Sequence, residues 1–156
     1  MSFSILLTSH AHTEALGEKI GLIAQNGLVV ALHGDLGTGK SVIARGIARG
    51  LGIQGRIPSP TFTLANQYEG RLIFHHLDLY RLSDPEELAQ LGFDEFIGEE
   101  GVSAVEWPSR AEHLLGPDCL HLSLSDADPQ SRWAELRSTG PKSDRVLQFI
   151  RESWSE

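Results

Sequence analysis

The sequence predicts a single α/β domain with a mixed, mostly parallel sheet flanked by helices. Short apolar runs of strand length alternate with segments whose apolar residues recur three and four positions apart, as they do on helices. The run from Leu28 to His33 is almost continuously apolar, which is typical of a central strand buried on both faces. No internal repeat, low-complexity tract or long linker divides the 156 residues, so we expect one domain over positions 1–156.

The first half of the chain is predicted to contain two helices. Ser9 is a capping residue for a helix that continues to about Asn26 and stops at Gly27. A second helix is expected from about Lys40 to Leu51. The strands predicted in this half are Phe3 to Leu7, Leu28 to His33, Thr63 to Tyr68 and Arg71 to Leu77, the last two as an antiparallel hairpin.

The second half is predicted to mix short helices with three strands. One helix begins with the capping pattern of Asp84, Pro85 and Glu87 and ends at Gly92. The other elements predicted here are a strand over Gly101 to Trp107, a short helix from Ser109, a half-exposed strand over Leu120 to Leu124, an edge strand over Arg132 to Arg137, and a final helix over Ser143 to Trp154.

The composition excludes several classes of protein. The longest uninterrupted apolar run, Leu28 to Leu32, is far shorter than the roughly 20 residues that span a bilayer, so membrane insertion is not expected. No basic segment precedes an apolar one at the N-terminus, so secretion is not expected either. Cys119 is the single cysteine, so no internal disulfide can form, and we expect a cytoplasmic protein.

The acidic residues are concentrated in one part of the chain. The net charge is −8, and between Asp84 and Asp128 twelve acidic residues stand against one basic residue, Arg110. Such a block repels a phosphate backbone, so strong direct binding to nucleic acid is not expected. Two interpretations of the block remain open: a solvated acidic surface, and a docking surface for a basic protein partner.

A glycine-rich segment indicates a phosphate loop. Gly34 to Ser41 fits the pattern G-x-x-x-x-G-K-S/T and lies between the predicted buried strand and the second helix. In such a loop the backbone N–H groups and the helix N-terminus face phosphate oxygens, Lys40 reaches the β and γ phosphates, and the Ser41 hydroxyl binds Mg²⁺. The residues expected at the nucleotide phosphates are Gly34, Asp35, Leu36, Gly37, Thr38, Gly39, Lys40, Ser41 and Val42. The predicted fold is therefore a phosphate-loop NTPase domain that binds a nucleotide with Mg²⁺.

Two carboxylates at predicted strand ends are candidates for catalysis. Asp78 and Glu106 each end a strand, and ligand sites in open α/β sheets lie beyond the carboxyl ends of parallel strands. Hydrolysis needs carboxylates for the metal ion and for the attacking water, so either residue could complete a magnesium site. The alternative is a structural ion pair between one of these acids and a nearby arginine, Arg81 or Arg110.

Several blocks, in order, resemble the TsaE family of small bacterial ATPases. The blocks are the phosphate loop, Ser59 to Leu64, His76 to Leu82, Asp84 to Leu88, and Glu106 to Pro108, which together cover about Leu28 to Arg137. The resemblance implies Mg²⁺-dependent ATP hydrolysis in support of the TsaB and TsaD proteins, which form threonylcarbamoyladenosine beside the tRNA anticodon. It implies that the chain resets that complex for repeated turnover and does not itself transfer the threonylcarbamoyl group.

The resemblance also implies roles for the catalytic residues. Lys40 and Ser41 take the phosphate and magnesium roles, with serine where many members have threonine. Glu106 is implied as the second carboxylate linked to the metal, and Asp78 as an acid that acts on metal, water or partner. Thr61 resembles a switch residue that senses the γ phosphate.

Three further residues are implied near the nucleotide, each with an alternative. Trp107 is expected either to stack on a base or a partner or to be a core tryptophan. Arg132 lies near the adenine, or is an exposed arginine on an edge strand. Thr13 approaches the nucleotide, or caps a helix.

Other functions remain open at this point. A small-molecule kinase would share the phosphate loop but would need an arginine-rich lid, which the acidic second half lacks. A non-catalytic sensor would bind ATP without hydrolysing it. The seven histidines do not indicate a zinc site, because His75 and His76 alternate across a strand and no His-x-x-x-His pair occurs. We expect a monomer or a weak oligomer.

Overall fold

The structure is a computed structural model that describes residues 1–55, 57, 65–84, 86–90 and 92–154. Its sheet has seven strands in the spatial order β1-β7-β6-β2-β5-β4-β3. The strands are β1 (Ser2–Leu7), β2 (Val29–His33), β3 (Ala65–Glu69), β4 (Ile73–Asp78), β5 (Val102–Glu106), β6 (Leu120–Asp126) and β7 (Arg132–Ser138). The four strands β6, β2, β5 and β4 are parallel, and the other pairings are antiparallel. The predicted mixed α/β sheet, with β2 at its centre and a β3–β4 hairpin, is confirmed.

The helices cover both faces of the central strands. They are α1 (His10–Ile23), α2 (Lys40–Gly50), α3 (Glu86–Gln90) and α4 (Pro141–Ser153), with 3₁₀ helices at Phe93–Phe96 and Pro108–Leu114. Val30 and Leu32 of β2 pack with the buried residues of α1, α2 and α4. Val29 and Ala31 point the other way and pack with residues of α3 and of the second 3₁₀ helix. Within the described ranges, no helix has the length and apolar character needed to cross a membrane.

Two details of the sequence prediction are corrected by the structure. The strand from Arg132 was predicted at an edge, but β7 lies inside the sheet between β1 and β6, and β1 and β3 form the edges. The reason is the antiparallel pairing of the N-terminal strand with β7, in which Ser2 lies opposite Arg137. The first helix ends at Ile23 rather than near Asn26, whereas the predicted cap at Ser9 is confirmed, since its Oγ accepts a hydrogen bond from the His12 N–H at 3.0 Å.

Helices α1 and α2 contact each other through glycine. A Cβ atom on Gly17 would lie 2.3 Å from the carbonyl oxygen of Ile43, and one on Gly46 would lie 2.4 Å from the carbonyl oxygen of Glu14. Gly21 and Gly50 meet one turn further along in the same way. The two backbones are therefore in direct contact, and a side chain at any of these positions would push the helices apart.

We predict that Gly46→Ala destabilises the protein by about 1–3 kcal/mol, because the added methyl group would overlap backbone that cannot move independently. The measurement is urea unfolding followed by circular dichroism. Leu22→Ala is the control, since Leu22 lies on α1 with its side chain 64% exposed and should change stability by less than about 0.5 kcal/mol. A gain of about 1 kcal/mol in Gly46→Ala, the effect of helix propensity alone, would contradict the backbone contact.

Candidate nucleotide-binding site

The loop between β2 and α2 exposes the first backbone amides of α2. Gly34 has φ 144° and Gly39 has φ 108°, conformations that residues with a side chain rarely adopt. Gly39 is the N-cap of α2 and has no side chain with which to satisfy the N–H groups of the first helical turn. The Thr38 Oγ1 donates a hydrogen bond to the carbonyl oxygen of Asp35 at 2.7 Å, which braces the loop from within. The loop therefore has the geometry of an anion-binding helix start.

Lys40 is buried beside this loop. Its Nζ donates to the carbonyl oxygen of Gly34 and lies 3.5 Å from the centroid of the Trp107 ring. Burial lowers the pKa of Lys40, and the carboxylates of Glu106, Asp78 and Asp35 oppose part of that shift. The negative charges of these carboxylates favour the charged form of the Lys40 side chain.

Glu106 lies at the end of β5 and faces α2. Both oxygens of its carboxylate are 3.3 Å from the Ser41 Oγ, which donates to them. The Glu106 Oε2 is also 2.6 Å from the Nε2 of His76, a contact between two fully buried side chains. The structure thus brings together the hydroxyl and the carboxylate that the sequence assigned to a magnesium site, and adds a histidine that the sequence analysis missed.

Asp78 ends β4 and is aligned with Glu106 across the parallel pair β4–β5. Its Oδ1 accepts a hydrogen bond from the Tyr80 N–H at 3.1 Å. Burial raises the pKa of Asp78, the negative charge of Glu106 adds to the rise, and the Tyr80 N–H opposes it. Two carboxyl groups therefore stand at the same edge of the sheet in different surroundings, a pattern that is common where proton transfer occurs.

Trp107 has a strained backbone at the same edge. It follows Glu106 directly and is, among the described residues, the one non-glycine residue with a left-handed conformation, at φ 58°. Such a conformation costs on the order of 1–3 kcal/mol and is found mostly at functional sites. The ring packs partly against the core beneath it and lies 5.0 Å from the ring of Tyr80. The tryptophan is thus partly packed, as a core residue would be, and its ring contacts Lys40; stacking on a base or a partner stays a prediction.

Two cavities meet at the glycine-rich loop. The first, of about 440 Å³, is lined by Leu36, Lys40, Ser41, Asp78, Tyr80, Arg81, Glu106 and Trp107. The second, of about 460 Å³, is lined by Thr8, Ser9, His10, Thr13, Thr38, Pro129, Gln130 and Arg132. Gly37, Gly39 and Val42 line both. The candidate catalytic residues Lys40, Asp78 and Glu106 therefore line the first cavity, and Thr13 and Arg132 line the second, beside α1.

Thr13 and Arg132 lie in the cavity beside α1, and each has its own local contacts. The Thr13 Oγ1 donates to the carbonyl oxygen of Ser9 at 3.2 Å, a bond within the first turn of α1. The Arg132 Nε is 3.1 Å from the Oδ1 of Asp126, and its Nη2 is 3.5 Å from the carbonyl oxygen of Gly37. Arg132 therefore connects β7 to the loop.

Thr61 and the rest of the segment Ser59 to Leu64 lie outside the described residues, as do Arg56 and Pro85. In the part of the chain that the structure describes, no group of three or more His, Cys, Asp or Glu side chains converges as ligands for a metal ion. His76 and Tyr80 were missed by the sequence analysis. A signal for His76 was present, because it lies two residues before Asp78 and strand alternation puts both side chains on one face.

Comparison with known proteins identifies the family of this chain. The family model described as "Threonylcarbamoyl adenosine biosynthesis protein TsaE" matches residues 7–134, which include the loop, Asp78 and Glu106. The chain belongs to the TsaE family. It is 40% identical over 112 residues to the TsaE protein of Treponema pallidum, and the aligned residues make up 72% of this chain and 83% of that protein. The Bacillus subtilis TsaE protein is 34% identical over 139 residues, 88% of this chain and 87% of the relative.

The fold is shared with a solved structure. The crystal structure of Bacillus subtilis YdiB superposes with a TM-score of 0.84 at 29% identity, and the match covers 99% of this chain and 97% of that chain. The family resemblance predicted from the sequence blocks and the predicted α/β fold are both confirmed. As a TsaE protein, the chain is one of the proteins of threonylcarbamoyladenosine biosynthesis.

We predict that Asp78→Asn is more stable than the wild type at pH 7. Because burial raises the pKa of Asp78 in the folded state, the folded protein holds a proton more tightly than the unfolded chain does, and stability falls as the pH rises through that range. Asparagine keeps the acceptor for the Tyr80 N–H and removes the charge. The measurement is the urea midpoint from pH 3 to 8, and the gain should shrink below about pH 4.

The exposed carboxylate of Glu18 provides the control for this experiment, and Glu18→Gln should leave the profile nearly unchanged. A stability of Asp78→Asn that falls below the wild type at pH 7 would show that the charged carboxylate is a stabilising group.

Proposed function

We propose that this chain is a Mg²⁺-dependent ATPase that supports TsaB and TsaD in forming threonylcarbamoyladenosine on tRNA, by resetting their complex for repeated turnover. The observation that carries the proposal is the convergence of Lys40, Ser41 and Glu106 at the uncapped start of α2, in one cavity. Membership of the TsaE family supports a role in threonylcarbamoyladenosine biosynthesis. In this proposal the transfer of the threonylcarbamoyl group belongs to the partners.

The triphosphate of ATP would lie along the loop. The amides at the start of α2 would contact phosphate oxygens, and the Lys40 ammonium would leave the Gly34 carbonyl to contact the β and γ phosphates. Its present position over Trp107 keeps the cation at the site before a nucleotide binds. The cavity bounded by Thr13 and Arg132 would hold the nucleoside.

The donor set at Ser41 and Glu106 fits Mg²⁺. One hydroxyl and one carboxylate are few ligands for most protein metal sites, but Mg²⁺ commonly keeps several waters and takes its other ligands from substrate phosphates. Bound there, the ion would neutralise charge that develops on the phosphate oxygens. Ser41 and Glu106 would hold it, and the parallel strand β5 keeps the carboxylate at that end of the sheet.

Asp78 is the candidate for orienting the attacking water. It lies at the same sheet edge as Glu106 but is bonded to the Tyr80 N–H instead of to Ser41. A carboxyl group whose pKa is raised by burial is a better proton acceptor than an exposed one. Asp78 would therefore accept a hydrogen bond from water while Glu106 holds the ion.

The partner role rests on the family and on charge. TsaB and TsaD are the implied partners, and the acidic block from Asp84 to Asp128 disfavours independent binding of tRNA. Trp107 contacts both Lys40 and Tyr80, all three line the same cavity, and Tyr80 is exposed. Movement of Lys40 toward a phosphate would remove its contact with Trp107, so nucleotide state would change the surface that a partner meets.

We predict that Glu106→Gln lowers kcat for ATP hydrolysis about 100-fold or more, because the lost negative charge acts mainly as charge develops in the transition state. Nucleotide affinity measured without Mg²⁺ should change by less than about threefold, since glutamine keeps the shape of the side chain. Steady-state phosphate release and binding of a fluorescent ADP measure the two quantities. An increase in KM with kcat unchanged would show that Glu106 contributes only to substrate binding.

We predict that the complex of TsaB and TsaD binds this chain more tightly with a non-hydrolysable ATP analogue than with ADP. Trp107→Ala should weaken that association more than it weakens nucleotide affinity, because the ring contacts both Lys40 and the exposed Tyr80. Biolayer interferometry in the two nucleotide states provides the measurement, and Trp133→Ala, an exposed tryptophan on β7, provides the control. Equal affinity in both states, with strong salt-dependent binding of free tRNA, would favour direct action on RNA instead.

A further inference from the structure

Strand β4 contains two adjacent histidines that are both buried. His75 is 4% exposed and His76 is 1% exposed, and they face opposite sides of the sheet. Within the described residues the Nδ1 atom of each has no hydrogen-bond partner. A buried polar atom without a partner costs free energy, so packing alone is a poor reason for either histidine.

The two histidines differ in what they contact. The ring of His75 stacks on that of Phe96 with centroids 4.6 Å apart, on the face opposite to the nucleotide loop. The ring of His76 lies on the same face as the preceding Phe74, with centroids 6.0 Å apart, and its Nε2 reaches the Glu106 Oε2 at 2.6 Å. Only the second ring meets a residue of the candidate site.

The backbone register explains why His76 reaches Glu106. In the β4–β5 pair His76 lies opposite Ala104, and Glu106 follows Ala104 on the same face. The small side chain of Ala104 leaves room for the imidazole to lean along the strand toward the carboxylate. Because a carboxylate can only accept, the Nε2 must be the nitrogen that holds the hydrogen, and the unpartnered Nδ1 lies on the other side of the ring.

We propose that His76 is a positioning residue that fixes the orientation of the Glu106 carboxylate for Mg²⁺. This inference rests on the proposed function of Glu106 as the carboxylate that holds the ion. The 2.6 Å bond from His76 engages Oε2 alone, whereas the Ser41 Oγ lies 3.3 Å from both Oε1 and Oε2. Among the described residues, Oε1 has the Ser41 hydroxyl as its single hydrogen-bond partner, so with Oε2 held by His76 it is the oxygen that would share the ion with Ser41.

Without His76 the carboxylate would be free to turn toward the nearest positive charge. The Lys40 ammonium is attracted to Glu106, so a direct contact between them would compete with both the metal ion and the phosphates. Loss of a partner that orients a metal ligand typically weakens metal binding about 10- to 100-fold.

Four variants test the proposal. His76→Gln places an amide N–H near the position of Nε2, whereas His76→Asn has an amide that reaches only as far as Nδ1. His76→Leu removes the donor and keeps the volume. His75→Leu is the matched control, because it makes the same change in the neighbouring buried histidine, which does not contact Glu106.

The readout is the affinity for a fluorescent ADP, titrated with MgCl₂ and separately in EDTA, together with the thermal unfolding midpoint. The apparent affinity for Mg²⁺ should fall about 10- to 100-fold in His76→Leu and His76→Asn, and by less than about threefold in His76→Gln and His75→Leu. Affinity in EDTA should be unchanged within about threefold in all four, since the phosphate loop is untouched.

Each result bears on one of the two hypotheses. If His76→Gln and His76→Asn lose Mg²⁺ affinity equally, or if neither loses it, the proposed positioning role of His76 is wrong. This comparison does not need His76→Leu, so it remains decisive even if that variant fails to fold. If His75→Leu loses as much as His76→Leu, the effect is a general one of strand packing, and the positioning role is again wrong. If the wild type binds no nucleotide, or binds it with no dependence on Mg²⁺, the proposed function itself fails.

Discussion

The parallel pairing of β2, β5 and β4 is the constraint on which the site depends. Because these strands run in the same direction, the glycine-rich loop after β2, Glu106 at the end of β5 and Asp78 at the end of β4 emerge at one edge of the sheet. Because the sheet is buried on both faces, none of the three strands can slide by one residue without exposing apolar side chains, which fixes their register at that edge. The proposed ATP hydrolysis at this edge then involves few further residues. Ser41 and Lys40 come from the first turn of α2, and His76 comes from the strand that already supplies Asp78.

The glycine contact between α1 and α2 positions the residues of α1 that line the second cavity. Backbone contact at Gly17 and Gly46 fixes α1 relative to α2, so the first turn of α1 is held beside the loop that begins α2. Thr13, on that turn, lies against Gly39, where a Cβ would be 3.5 Å from its methyl group. The two cavities therefore share the glycine-rich loop, and Trp107, with its left-handed backbone and its contact with Lys40, lines one of them.

Much of this arrangement could be predicted because it is encoded locally. The phosphate loop and the acids at strand ends are read from short stretches, and the element types follow from periodicity. The prediction of β7 as an edge strand was wrong because its pairing with β1 joins distant parts of the chain, and no local sequence pattern indicates such a pairing. The glycines of α1 and α2 were visible, but which helix they would meet was not. His76 was overlooked because a histidine in an apolar run resembles a core residue. Its contact with Glu106 on the neighbouring strand becomes visible only when the strand pairing is known.

Phosphate release from ATP by the isolated chain, with and without purified TsaB and TsaD, tests the central claim most directly. The measurement is made with Mg²⁺ and again in EDTA, at saturating ATP. The account predicts hydrolysis that requires Mg²⁺ and that rises when both partners are present. ATP that binds but is not hydrolysed even with TsaB and TsaD would make the chain a nucleotide sensor, and transfer of the phosphate to a small molecule would make it a kinase. Either result would contradict the account.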